Sequence, residues 1–237
     1  SYPRQFEQVT SGKGYLTNGN SSSGEAGKIY IIDLATLEIS DSISVGRGPE
    51  SMVVTDNNVF VTNSGGYSKD STVFVIDKNT DNIIDTIEVG HIPTDIAIDA
   101  NGDIWVLCKG LSGYQTGGPT NSKLAKINAS DFSTTFFDIG KITSYGNYLM
   151  SMDKNQENVF YTGPDGIYKM GINDSQIPGS PVINKVPYGL GVNPDNNNLF
   201  ITFTSYSSKG SVCQYDTDFS MKDSVEVGYY PNAVVFN

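Results

Sequence analysis

The side chains that could carry out chemistry are few. His91 is the only histidine and Cys108 and Cys213 the only cysteines among 237 residues, so neither a cluster of imidazole ligands nor a CxxC pair can be assembled. The nearest approach to a cation loop is Asp99-Ala100-Asn101-Gly102-Asp103, whose alternating oxygens mimic the start of a calcium loop. Similar Asx-rich runs recur from Thr55, Asp153 and Asn193, and each reads as a polar hairpin turn. Asp33, Asp77 and Asp216, with Asn128 in the matching slot, could be taken for a ring of carboxylates. The residues that follow them, Leu34-Ala35-Thr36, Lys78-Asn79-Thr80 and Thr217-Asp218-Phe219, mark them as turn initiators instead. No phosphate-cradling glycine loop or nucleophile elbow occurs. The expectation is a protein that is not an enzyme, with no catalytic residues, no metal ligands and no cofactor.

Tyrosine is the more telling residue. Tyr67, Tyr114 and Tyr206 are each embedded in glycine and serine, while Tyr145, Tyr188, Tyr229 and Tyr230 stand beside predicted turns between repeats. Arg47, His91 and Tyr229 occupy one equivalent slot ahead of a proline. Large amphipathic rings on loops at one mouth of a fold suit stacking on a sugar, a corrin edge or a partner protein. These nine residues, Arg47, Tyr67, His91, Tyr114, Tyr145, Tyr188, Tyr206, Tyr229 and Tyr230, form the candidate ligand-binding set. The plainer reading is that tyrosines fill and cap loops, and that the slot of Arg47 varies because nothing constrains it.

The elements that would position them come from a repeat. From Val45 to Asp77 a Gly-x-x-Pro turn leads into an apolar strand, a polar turn, a second strand ending Thr62-Asn63, a Gly/Ser loop, and a third strand ending in Asp77. The proline recurs at Pro3, Pro49, Pro93, Pro187 and Pro231, with Asn147 in the remaining slot, at spacings of 46, 44, 54, 40 and 44 residues. A period of roughly 40 to 50 with several strands per repeat is the mark of a β-propeller. The fold class expected is all-β, one domain over 1–237. Its four-stranded antiparallel blades cover 3–48, 49–92, 93–146, 147–186 and 187–230, and an extra inner strand covers 231–237. Asp41 to Gly46, Asp85 to Gly90 and Asp223 to Gly228 are matching fourth-strand endings. The fourth repeat departs most, with a minimal Gly163-Pro164-Asp165-Gly166 turn and an outer strand interrupted by Pro178 and Pro181. No segment carries a sustained helical period. In this topology the loops between second and third strands share one face with the blade-to-blade turns.

Composition narrows the partners. With 26 acidic against 15 basic side chains the formal charge is -11, which repels nucleic-acid phosphates. No apolar run approaches the length of a membrane-spanning helix. Cys108 and Cys213 fall in predicted second and third strands and read as two strand thiols rather than a disulfide.

Tyr15-Leu16-Thr17-Asn18 and Phe60-Val61-Thr62-Asn63, with the Gly-x-x-Pro turns at Gly46 to Pro49, Gly90 to Pro93 and Gly228 to Pro231, resemble the YVTN-type propeller repeats of surface-layer and secreted proteins. The run from Lys109 to Ser130, the segment Val186 to Pro194 and the closing Val227 to Asn237 look like the branch of cell-surface or periplasmic lipoproteins of Bacteroides-type bacteria. The resemblance covers the whole chain. It implies a seven-bladed ring, with two further blades and a signal or lipid anchor expected upstream. It also implies an extracytoplasmic setting and a corrinoid such as vitamin B12 as candidate ligand, handed to an outer-membrane transporter. The alternatives are a surface scaffold for protein or glycan interaction and, more remotely, a metal-dependent lactonase-like or lyase-like enzyme.

Overall fold

A computed structural model describes residues 2–19, 25–66, 68–142, 148–204 and 207–236. Among them there is no helix, and the strands run in chain order within each sheet. The first sheet takes β1 (Pro3–Thr10), β2 (Lys13–Asn18), β3 (Gly27–Asp33) and β4 (Glu38–Val45). The second takes β5 (Pro49–Val54), β6 (Asn58–Asn63), β7 (Thr72–Asp77) and β8 (Ile83–Glu88), and the third β9 (Pro93–Ile98), β10 (Ile104–Cys108), β11 (Ser122–Ile127) and β12 (Thr134–Gly140). The fourth has only β13 (Met150–Met152), β14 (Asn158–Thr162) and β15 (Ile167–Gly171), and the fifth β16 (Gly189–Val192), β17 (Leu199–Phe203), β18 (Ser211–Tyr215) and β19 (Met221–Glu226). Pro3, Pro49 and Pro93 each open an inner strand, where a missing N–H removes no interior ladder bond.

Packing gathers the chain into two compact units, Ser1–Ala97 with Gly102–Phe136, and Ile98–Asn101 with Phe137–Asn237. In the first, β6 is buried on both faces. Val59 and Val61 join Tyr15, Ile29, Ile43 and Met52 in one apolar cluster, while Phe60 meets the edge of Phe132 at 5.9 Å. Tyr15 reaches across to donate its hydroxyl to Asp81, which also pairs with Lys13, so the first sheet is pinned to the β7–β8 turn. The second unit has its own cluster of Phe160, Ile167, Val192, Leu199, Ile201 and Tyr215. Both cysteines are buried free thiols.

Two recurrent devices explain the regularity. Inner strands β1 and β5 each carry one residue more than their partners, between Pro3 and Phe6 and between Pro49 and Met52. A fully buried threonine in the second strand sits opposite each bulge. Thr62 Oγ1 accepts from the Ser51 amide at 3.0 Å and donates back to the Ser51 carbonyl at 3.1 Å. Thr17 Oγ1 likewise accepts from the Gln5 amide, and its one proton is shared between the Gln5 carbonyl at 3.3 Å and the nearer Glu50 carbonyl of the next inner strand at 2.9 Å. Thr162 and Thr202 repeat the theme, with Leu149 N–H and the Pro231 carbonyl as partners. The second device is the turn after the third strand in each of the first three sheets. Asp33, Asp77 and Asn128 accept from the amides two and three residues on, and the chain then passes through a left-handed residue at Leu37, Asp81 and Phe132. The turn-initiator reading holds for Asp33, Asp77 and Asn128, whereas the Asp216 carboxylate pairs with Lys222 at 3.3 Å and its carbonyl accepts from Phe219 N–H.

Two expectations are corrected. Only an isolated bridge from Ile167 to Ile183 stands where an outer strand was expected in the fourth repeat. Pro178 and Pro181 cannot donate to a ladder and break the run. Residues 231–236 form no strand either: Phe236 packs edge-on to Phe200 at 5.3 Å and a Cβ on Gly191 would touch Val234, so the segment packs through side chains instead of pairing.

Thr62→Val keeps the side-chain shape but strands the Ser51 amide and carbonyl, so a loss of about 1–3 kcal/mol is expected. Thermal unfolding should show a lowered midpoint, with the exposed Thr36→Val as an unchanged control. Acid provides a second check. Amide bonds from Thr80 and Asn79 hold Asp77 below its ordinary value of 3.8, and the hydroxyl and amide of Ser133 and Ser220 do the same for Asp131 and Asp218. A depressed folded value means the contribution is complete above the unfolded value and disappears as pH falls through the folded one. The midpoint should therefore hold from neutrality to about pH 5 and fall below about pH 4. Asp77→Asn, which copies Asn128, should flatten that fall.

Candidate functional site

Main-chain hydrogen bonds weld loops and turns of the first unit into one rim. Gly65 N–H bonds the Arg47 carbonyl at 2.8 Å and Ser64 N–H the Gly48 carbonyl at 2.9 Å, tying the β6–β7 loop to the turn before β5. Gly110 N–H bonds the His91 carbonyl and Lys109 N–H the Ile92 carbonyl, both at 2.9 Å, tying the β10–β11 loop to the turn before β9. Gly48 allows the close approach: its φ is +57° and a Cβ there would collide with the Gly66 amide. Loops between second and third strands do share a face with the blade-to-blade turns in this unit.

Asp70 is the hub of the rim. Its Oδ2 accepts from Arg47 N–H at 2.8 Å, and its Oδ1 from Ser71 N–H, Thr72 N–H and the Thr72 hydroxyl. Its carbonyl accepts from Ile92 N–H at 2.9 Å, so one residue binds both turns. Lys69 Nζ reaches the Thr116 carbonyl at 2.8 Å and links the two long loops directly. At the crest of the second loop Tyr114 is fully exposed. Arg47 is exposed and His91 half-buried. Asp70 thus ties together the two turns that carry Arg47 and His91, and Tyr114 stands on a loop bonded to the same rim. Sequence reasoning missed Asp70.

The second unit gathers another part of the set. The Tyr188 and Tyr230 rings lie 6.3 Å apart, with Tyr229 and Tyr230 exposed and Tyr230 itself in a left-handed conformation at φ 54°. The β17–β18 loop is tied to its turn by Gly210 N–H on the Gly228 carbonyl at 3.0 Å. Tyr67, Tyr145 and Tyr206 lie outside the described residues.

A cleft of about 430 Å³ in the second unit was not foreseen. The end of β12 at Asp138, the β14–β15 turn at Pro164, the Tyr161 and Tyr168 side chains, and Ile177 and Pro178 line it. The two rings stack at 5.6 Å and 20°, held by direct cross-strand pairing of β14 with β15. Tyr168 donates to Asp165 at 2.7 Å. Burial, then that bond, pushes its hydroxyl up to about 12. A readable signal existed: where Tyr161 stands, the other repeats carry Leu16, Val61, Val106 and Ile201.

No three His, Cys, Asp or Glu side chains among the described residues group closely enough to hold a metal ion. At the apparent calcium loop, Asp99 Oδ1 accepts from Asn101 N–H at 2.9 Å, as an Asx turn does.

The family described as Domain of unknown function (DUF5074) matches residues 2–237. None of the curated proteins matches the sequence. Among solved structures, Kuenenia stuttgartiensis hydrazine synthase aligns with a TM-score of 0.66 at 15% identity, over 93% of this chain and 64% of that one. A dihydro-heme d1 dehydrogenase, NirN, in complex with DHE gives 0.66 at 11% identity, over 96% of this chain and 46% of the other. A luciferin-regenerating enzyme gives 0.60 at 11%, over 95% and 75%. The chain spans less than two thirds of the length of the first two. At these identities the likeness is one of fold, and the fold is an all-β propeller of antiparallel blades.

Asp70→Ala should remove the side-chain tie to the turn before β5 while leaving the sheets in place and the main-chain bond from Ile92 intact. Hydrogen exchange at the Arg47, Ser71 and Thr72 amides should accelerate, while that at Ile92 should change least. The midpoint should fall by an amount set by charge-assisted bonds of about 1.5–3 kcal/mol.

Proposed function

Because the chain belongs to the DUF5074 family, whose description assigns no activity, we propose a function from the rim itself: a non-catalytic propeller that captures a ligand on its loop-bearing face. The supporting observation is the hydrogen-bonded rim around Asp70, which presents Arg47, His91 and Tyr114 from loops that are already ordered. A preorganised rim binds without first losing loop entropy, which is what a capture surface needs. Tyr114 offers a large ring whose exposure has no role in the core. Its natural partners are flat or ring-shaped ligands that can stack while the rim supplies hydrogen bonds.

The candidate ligand is a corrinoid, which the YVTN-type resemblance suggests. The setting proposed with it is the cell envelope, with delivery to an outer-membrane transporter. Calorimetric titration of the full-length protein with cobalamin tests the reading. Saturable binding is expected, and Tyr114→Ala should weaken it by about tenfold, the equivalent of one aromatic contact of about 1–1.5 kcal/mol. Absence of both heat and a shift in the visible spectrum would overturn the corrinoid proposal. Recovery of a stoichiometric protein partner through the same tyrosine would put a scaffold role in its place.

A further inference from the structure

The cleft beside Tyr161 is built differently from the rim and shares no residue with it. Tyr161 is 1% exposed, and its ring lies against Tyr168 at the wall of the cleft. Burial raises its phenol further above the usual range, so the hydroxyl stays a neutral donor. The hydroxyl belongs to a residue that lines a cleft of about 430 Å³, within the size range of small-molecule sites, roughly 300–1,000 Å³.

The lining selects among ligands. The two tyrosines are stacked at 20°, so they offer one platform and not the crossed faces of a cage for an organic cation. Asp138 is the only carboxylate of the lining, and no lysine or arginine joins it, which disfavours phosphates and other anions. Ile177, Pro164 and Pro178 supply apolar walls. The ligand that fits has an apolar ring face to lie against these walls and hydroxyls on its edge, some donating to Asp138 and one accepting from Tyr161. We propose that this cleft is a binding site for an uncharged pyranose sugar, with the Tyr161 hydroxyl and Asp138 reading its edge and Tyr168, Pro164 and Ile177 receiving its ring.

The opening arises from two features of the fourth repeat. Its β14–β15 turn is the shortest of its kind, and its outer strand is replaced by the proline-bearing segment that contributes Ile177 and Pro178. Other repeats have an aliphatic side chain at the place of Tyr161, so the chemistry belongs to this repeat alone among the five.

The test uses methyl pyranosides of glucose, galactose, mannose and N-acetylglucosamine at millimolar concentration. Binding is read by saturation-transfer NMR on the intact chain. At least one is expected to bind saturably. Tyr161→Phe keeps the buried ring and its stacking on Tyr168, so the thermal midpoint should be kept, and it should weaken that sugar about tenfold. Asp138→Asn retains the acceptor for Gly140 N–H, bonded at 2.9 Å, and should also weaken it. Tyr114→Ala should leave it unchanged, so loss of cobalamin binding and loss of sugar binding are separable results. The proposal is overturned if none of the four binds, if Tyr161→Phe binds as tightly as the parent protein, or if adenosine binds where the sugars do not.

Discussion

An inner strand with one residue too many leaves an amide and a carbonyl without ladder partners, and a buried sheet cannot tolerate that. The whole repeat is arranged around this constraint. Threonine meets it because its hydroxyl both accepts and donates, and because its branched body suits a strand buried on both faces. Thr62 therefore has to be preceded by apolar residues that sink it into the core and followed by a residue that starts the loop. Asn63, Gly65 and the turn at Gly48 follow from that placement, and with them the rim.

Rim and cleft are two answers to the same architecture. In the first unit long loops return onto the blade-to-blade turns and fill the face with hydrogen bonds. The fourth repeat has almost no loop and no outer strand, so the face is left open. Ordered loops present side chains outward, as Tyr114 does, whereas a minimal turn leaves a cleft over the wall that Tyr161 and Tyr168 form. Loop length alone thus changes what a repeat of this fold presents at its surface.

How much of this was legible depends on whether the information is local. The prolines at 3, 49 and 93 marked the strand starts, and the Asx turns after third strands were readable because a turn's chemistry lies within four residues. The shared face of loops and turns followed from strand order. Asp70 was not legible, since its role depends on Arg47 and Ile92, 23 and 22 residues away in opposite directions along the chain. Tyr161 looked like one more core residue of Val159-Phe160-Tyr161-Thr162, because a sequence pattern reports which way a side chain faces but not what is missing above it. The strand expected over 231–237 was read from its alternation, which reports how side chains face and not whether the backbone pairs.

The second bond made by Thr17 has a wider bearing. By donating to the Glu50 carbonyl, it writes part of the first repeat's stability into the inner strand of the second, and Ser51 does likewise toward Thr94. Each repeat is then only as secure as the next one along. Within the first unit, such nearest-neighbour coupling makes three small sheets lose their order together and not one at a time.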